Sequence, residues 1–233
     1  MADKKEEILK DDDILTKADI WMKNNRKSLT IIGVAIVVIV GGFLSYKYLY
    51  VGKRENKAAK QLYEFAFFAY EKDSLNIAAD GDPLTQGRGL VNMVNKYGST
   101  SAGTIGRYLL GMIYLQKGSD NPDFYNSAID QLSAVDFGED EYMLTTQAWG
   151  CMGDAYVELG DLQKGVAQYE KAANRNNNYL LTPYYLMKAA TVHEELGNWD
   201  KALKHYKRIR NSFPDSQQAN DLDRYIARAE NSM

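Results

Sequence analysis

Residues 29–46 (Leu29-Thr-Ile-Ile-Gly-Val-Ala-Ile-Val-Val-Ile-Val-Gly-Gly-Phe-Leu-Ser-Tyr46) carry no charge and are mostly β-branched or aliphatic. As a helix rising about 1.5 Å per residue they extend roughly 27 Å, close to the hydrocarbon thickness of a bilayer. A helix on a soluble core needs one apolar face only. This segment is apolar all the way round, so it is expected to span a membrane. That expectation sets the layout: a polar tail over residues 1–28, a transmembrane helix over 29–50 and one domain over 51–233.

A cleaved signal peptide fits poorly. The segment before the span holds seven acids (Asp3, Glu6, Glu7, Asp11, Asp12, Asp13 and Asp19), where a signal peptide has a short, net-positive start. The exit Phe43-Leu-Ser-Tyr-Lys-Tyr-Leu-Tyr50 offers no Ala-x-Ala cleavage site. Tyr46, Tyr48 and Tyr50 suit the lipid–water interface instead, and Lys47 can snorkel outward. Membrane lipid is thus an expected partner of residues 29–50, and the only cysteine, Cys151, stands too far from the N-terminus to carry a lipid anchor. Lys10, Lys17, Lys23, Arg26 and Lys27 precede the span, and Lys53, Arg54, Lys57 and Lys60 follow it. The three bases closest to it on the N-terminal side (Lys23, Arg26, Lys27) point to a cytoplasmic tail and an outer domain. In the tail, Asp13–Met22 can form a short helix capped by Asp13, with Ile14, Ala18, Trp21 and Met22 in one apolar stripe.

The region after the span is long enough for a single domain with its own core. It is mildly acidic, with no basic patch, which argues against nucleic acid as a partner. A lone cysteine forbids an intrachain disulfide, and only four prolines leave room for long helices.

Self-similarity organises this domain. Trp149-x-x-Met152-Gly153-x-x-Tyr156, followed by Gly160, Gly165, Tyr169 and Ala172, resembles the tetratricopeptide repeat. Its small residues let two antiparallel helices approach while large residues of the partner fill the notch. A second copy follows at Leu186, Ala189, Ala190, His193, Gly197, Ala202, Tyr206, Ile209 and Pro214. Gly153 and Ala190 are 37 residues apart, three beyond the 34-residue repeat, and the Asn176–Asn178 turn with Tyr179-Leu-Leu can absorb the excess. Gly160-Asp161 and Gly197-Asn198 supply a left-handed helix end and a following N-cap.

A degraded copy precedes these. Leu110, Gly111 and Tyr114 belong to its first helix, and Ala128, Leu132 and Val135 to its second, with a turn lengthened by Gly118–Asp123. Before that, 53–79 reads as one long helix broken by Gly81-Asp-Pro83, and 86–97 as a returning helix carrying Leu90, Val91 and Val94. Residues 216–231, with Ala219, Leu222, Tyr225, Ile226 and Ala229, form an amphipathic closing helix. The expected fold is all-α: one transmembrane helix, then a tetratricopeptide-repeat-like α-solenoid of three and a half to four helix pairs with a C-terminal capping helix.

Such a stack presents a groove lined by the first helices, and there the expected outward, protein-binding positions are Arg107, Gln147, Asp154, Tyr185, Lys188 and Thr191, with Asn92 further back. No catalytic constellation emerges. His193 occupies the repeat's tyrosine position and is expected in the core, while His205 is expected on an outer face. Two histidines and one cysteine are too few for a zinc or Cys–His site. Acid pairs such as Glu194-Glu195 fall at helix ends, and Gly87-Arg-Gly89 follows no strand. Neither enzyme activity nor a cofactor is expected.

Polar tail, single span, long exit helix, degenerate repeats and closing helix together resemble the YfgM family of bacterial inner-membrane proteins. The segment Lys96-Tyr-Gly-Ser-Thr-Ser-Ala-Gly-Thr-Ile105 is similar to that family's turn between its first helix pair and the next repeat. The resemblance implies an ancillary subunit of the Sec translocon with a periplasmic repeat domain. It also implies, as partners, Sec subunits and a membrane-anchored periplasmic chaperone of the prolyl isomerase-like type. Two other readings share this outline: a structural anchor that self-associates, and a recruitment adaptor facing the cytosol if the topology is reversed.

Overall fold

The computed structural model describes residues 17, 20–63, 70, 74–81, 88–138 and 141–233. Among them are eleven α-helices and no strand, so the all-α expectation holds. The chain divides into two units, Met1–Lys53 and Arg54–Met233.

The first unit is dominated by α1 (Arg26–Ser45), followed by a π-helical turn over Tyr46–Val51. Helical backbone continues through Gln61, with a mean hydropathy of 2.4 over its most apolar 18 residues, none of them buried. By length and composition this helix can cross a membrane. Tyr46 and Tyr50 stack with ring centroids 5.5 Å apart. Of the amphipathic stripe expected over residues 13–22, Ile14 and Ala18 lie outside the described residues, while Trp21 and Met22 are exposed.

In the second unit the helices are α2 (Gly52–Gln61), α3 (Leu75–Asp80), α4 (Leu90–Tyr97), α5 (Ser101–Lys117), α6 (Asp123–Ser133), α7 (Tyr142–Glu158), α8 (Leu162–Arg175), α9 (Leu181–Glu195), α10 (Trp199–Ser212) and α11 (Leu222–Asn231). From α5 onward each helix packs on the next, and the first helices of successive pairs, α5, α7 and α9, also touch one another. This is the arrangement of an α-solenoid, in which repeats contact only their neighbours. The pairs are α5/α6, α7/α8 and α9/α10, closed by α11.

Large side chains lie in notches left by glycine. A Cβ on Gly153 would come within 2.5 Å of Tyr169, one on Gly150 within 2.1 Å of Tyr185, and one on Gly111 within 2.6 Å of Leu132. Tyr169 and Tyr185 are thus packing elements of the stack. The apolar core forms three consecutive clusters rather than one. Tyr108 and Tyr114 join the first to the second, and Trp149 joins the second to the third.

Helix ends follow elementary capping chemistry. Gly160 and Gly197 adopt φ of 77° and 72°, the left-handed region that terminates a helix cheaply only at glycine. Asp161 accepts a hydrogen bond from the Lys164 amide, whereas Asn198 stands at the N-cap of α10 without a side-chain capping bond. Between the two full repeats, Asn178 Oδ1 accepts from the amides of Leu180 and Leu181. That local turn takes up the extra residues in the spacing.

Three boundaries differ from the sequence expectation. The 53–79 segment is not one helix: α2 ends at Gln61, and Ser74, non-helical at φ −88° and ψ 59°, precedes a separate α3. The returning helix starts at Leu90, because Gly89 is extended. The closing segment is interrupted as well. A 3₁₀ turn over Gln217–Ala219 precedes Asp221, whose φ of 60° is left-handed, and only then does α11 begin. The start of the stack is fastened by polar contacts: the Glu55 carboxylate accepts from the amides of Ser101 and Ala102 at the N-terminus of α5, where the helix dipole favours an anion.

Candidate protein-binding groove

The first helices of the three pairs converge on one cavity of about 360 Å³, lined by Tyr108 of α5, Gln147 and Cys151 of α7, and Leu181, Tyr184 and Tyr185 of α9, together with Leu180 just before α9 and Gln217 and Gln218 after α10. Each lining helix is a first helix, so the cavity lies in the solenoid's shared inner wall. Its amide side chains match the donors and acceptors of a peptide backbone, and its phenol rings offer flat apolar area with a polar tip.

Behind this wall a compact polar cluster holds α7, α8 and α9 together. Asp154 Oδ1 accepts from Tyr169 Oη at 2.5 Å and from Lys188 Nζ at 2.6 Å. The Lys188 ammonium also lies 5.4 Å from the Tyr169 ring centre and 5.2 Å from that of Tyr184, within cation–π range. Tyr185 stacks on Tyr169 at 6.4 Å and meets Tyr184 edge-on at 5.0 Å. Burial by itself lowers the Lys188 pKa, but the hydrogen bond and charge of Asp154 outweigh it and hold the ammonium above its ordinary value. Burial, reinforced by Asp154, pushes Tyr169 above the usual phenol range. The Cys151 thiol is raised to about 12 by burial and then by Asp154, and its Sγ donates to Met112 Sδ at 3.3 Å. It stays a protonated packing group, without the thiolate that a nucleophile needs.

The sequence-selected positions thus separate into groups. Gln147, Asp154, Tyr185 and Lys188 meet around this wall. Tyr185 is not outward as expected: it is 4% exposed, because its ring fills the notch at Gly150, and only part of it reaches the cavity. Arg107 is turned to α6, donating to Gln131 Oε1 at 3.3 Å. Thr191 is exposed on α9 and donates to its own helix at Met187 O. Asn92 is exposed on α4 and accepts from Gln61. Sequence reasoning missed Tyr184, Gln217 and Gln218. Tyr184 is a neighbour of Tyr185 with the opposite exposure, and the glutamines follow α10 in a segment expected to be helical.

A second polar cluster joins α8, α9 and α10. Glu170 Oε1 receives His193 Nε2 at 3.1 Å and His205 Nε2 at 2.9 Å, and the two imidazoles stack at 5.5 Å. His193 is buried as expected. His205 is not on an outer face: its side chain is 12% exposed, since it leans inward to share the carboxylate. Burial lowers the His205 pKa and outweighs the opposing attraction of Glu170. For Glu170, burial raises the pKa, but the hydrogen bonds from both imidazoles prevail and lower it.

Residues 184–216, which comprise nearly all of α9 and the whole of α10, match the tetratricopeptide repeat family. No curated protein and no solved structure is significantly similar to the chain. The described fold is an all-α stack of helix pairs with a tetratricopeptide repeat over residues 184–216, and such stacks create extended concave binding surfaces.

Proposed function

We propose that this chain is a non-enzymatic, membrane-anchored scaffold. Its α1 segment crosses the bacterial inner membrane once, and its repeat stack holds a chaperone or an emerging polypeptide at the periplasmic side of the Sec translocon. The observation that carries the reading is the pairing of a repeat stack, with its aromatic and amide-lined inner wall, and an apolar helix with no buried residue in its membrane-length window. A soluble protein has no use for so large an exposed apolar surface. The resemblance to the YfgM family supports the translocon and the prolyl isomerase-like chaperone as partners, and the excess of bases just before the span supports the orientation.

Two measurements test this. Protease added to spheroplasts should remove the domain beyond Lys53 and spare the tail; full protection would support the cytosol-facing adaptor. Crosslinked pull-down from membranes should recover Sec subunits together with the chaperone. Recovery of the same chain alone would support the self-associating anchor. That second reading has one feature in its favour: beyond their own helix, Gly33, Gly41 and Gly42 have no described atom within 4 Å of where a Cβ would stand, leaving small-residue faces on which two membrane helices can pack closely.

A further inference from the structure

Although the two histidines and one cysteine read in the sequence as too few for a zinc site, Glu170 completes a donor set across three helices: we propose that Glu170, His193 and His205 form a binding site for a divalent transition-metal ion of the zinc type, clipping α8, α9 and α10 together. One ligand atom from each residue lies within 4.8 Å of the other two. Both Nε2 atoms stand close to the same carboxylate oxygen, at 3.1 and 2.9 Å. Bonds of about 2.0–2.1 Å to a tetrahedral ion place neighbouring donors roughly 3.3 Å apart. Each imidazole–carboxylate pair therefore needs to separate by only a few tenths of an ångström to enclose one, and the two ligand nitrogens lie within 4.8 Å of each other.

The donor chemistry selects the class of ion. Two imidazoles and a carboxylate suit zinc and its first-row neighbours, while magnesium and calcium require oxygen donors. Three protein ligands leave a fourth position for water. Glu170, with 38% of its side chain exposed, keeps that position open to solvent. Arg208, whose charge is felt at His205, donates to Asn174 Oδ1 at 2.6 Å.

Internal comparison shows that the fold does not demand these histidines. In the preceding repeat, 37 residues earlier, the positions of His193 and His205 are held by Tyr156 and Gln168, while Tyr206 has its counterpart in Tyr169. The scaffold packs the same way with non-ligating residues there. In this repeat the two imidazoles instead share one carboxylate oxygen.

The test uses the full chain in detergent after chelator treatment. Titration with Co²⁺ should give one equivalent of bound ion with the visible d–d absorption of four- or five-coordinate cobalt, bleached by Zn²⁺. Zinc should raise the melting temperature, and chelator should reverse the rise. His205→Gln, which retains packing and a polar end, should weaken binding by at least about tenfold, and Glu170→Gln should act likewise, with helical circular dichroism confirming that each variant folds. Cobalt bound without visible bands, or with bands that persist in both folded variants, would overturn the proposal. An unchanged melting temperature in zinc would do the same.

Discussion

The α7/α8 and α9/α10 pairs are built on one skeleton yet hold their polar groups differently. Tyr169 and Tyr206 occupy the same repeat position. Tyr169 packs into a notch at Gly153 and donates to Asp154. For Tyr206 the counterparts of Gly153 and Asp154 are Ala190 and Thr191; the ring is fully buried, and its hydroxyl is influenced by Glu194 and Arg228, which pair with each other. Small-against-large packing fixes how the helices meet, and the residues one position away decide what that meeting point can do. The α7/α8 pair, joined by Lys188 of α9, puts a lysine–aspartate–tyrosine cluster behind a groove; the α9/α10 pair puts two imidazoles on the Glu170 carboxylate of α8.

The sharpest way to break the comparison is at the notch. Gly153→Leu should overpack α7 against Tyr169 and destabilise the domain by at least about 1–3 kcal/mol. Ala190→Gly in the sister repeat should cost only about 0.5–1 kcal/mol, mainly through helix propensity. Urea unfolding of the two variants compares them directly, and equal losses would mean that the notches are equivalent.

Next in size is Asp154→Ala. It strips Lys188 and Tyr169 of their common acceptor, and loss of a charge-assisted bond costs about 1.5–3 kcal/mol. Thr191→Ala, at the matching position in α9, should be nearly silent, since its hydroxyl bonds only to its own helix.

Acid should also distinguish the two repeats. The folded-state pKa of His205 lies below its ordinary 6.5, so the unfolded chain takes up the proton first and stability falls as pH drops below about 6.5. Glu170, lowered from 4.5, acts in the same sense at lower pH: its contribution is present above that value and is lost as pH falls through the folded pKa. In metal-free protein the melting temperature should decline on acidification. His205→Gln should flatten the first part of that decline, and a parallel decline in the variant would assign it to other groups.

The smallest contrast is at the caps. Asp161→Ala should cost about 1 kcal/mol. Asn198→Ala should cost less, because Asn198 makes no capping bond.

Much of this was legible in the sequence, for identifiable reasons. Wherever a small residue, a tyrosine and a left-handed glycine recur in register, as at Gly153, Tyr169 and Gly160, both packing and boundaries followed. In the first third, where no such triplet repeats, the expected single helix over 53–79 is broken at Ser74. The inward lean of His205 was hidden because it depends on Glu170, 35 residues away, and no local pattern links the two. Tyr184 and Tyr185 show the same limit: neighbours on one helix, they exchange the expected outward role because Gly150, on another helix, makes room for the second ring.

The central claim is that the inner wall of the repeats recognises the partner while α1 only localises the chain. Its most direct test is crosslinked copurification from membranes with two variants, one replacing residues 29–46 by an unrelated apolar span and the other carrying Gln147→Glu with Tyr184→Ala. The span replacement should keep most partner capture, and the groove variant should lose it with helicity and melting temperature unchanged. Capture abolished by the span replacement and retained by the groove variant would contradict the account and move recognition into the membrane.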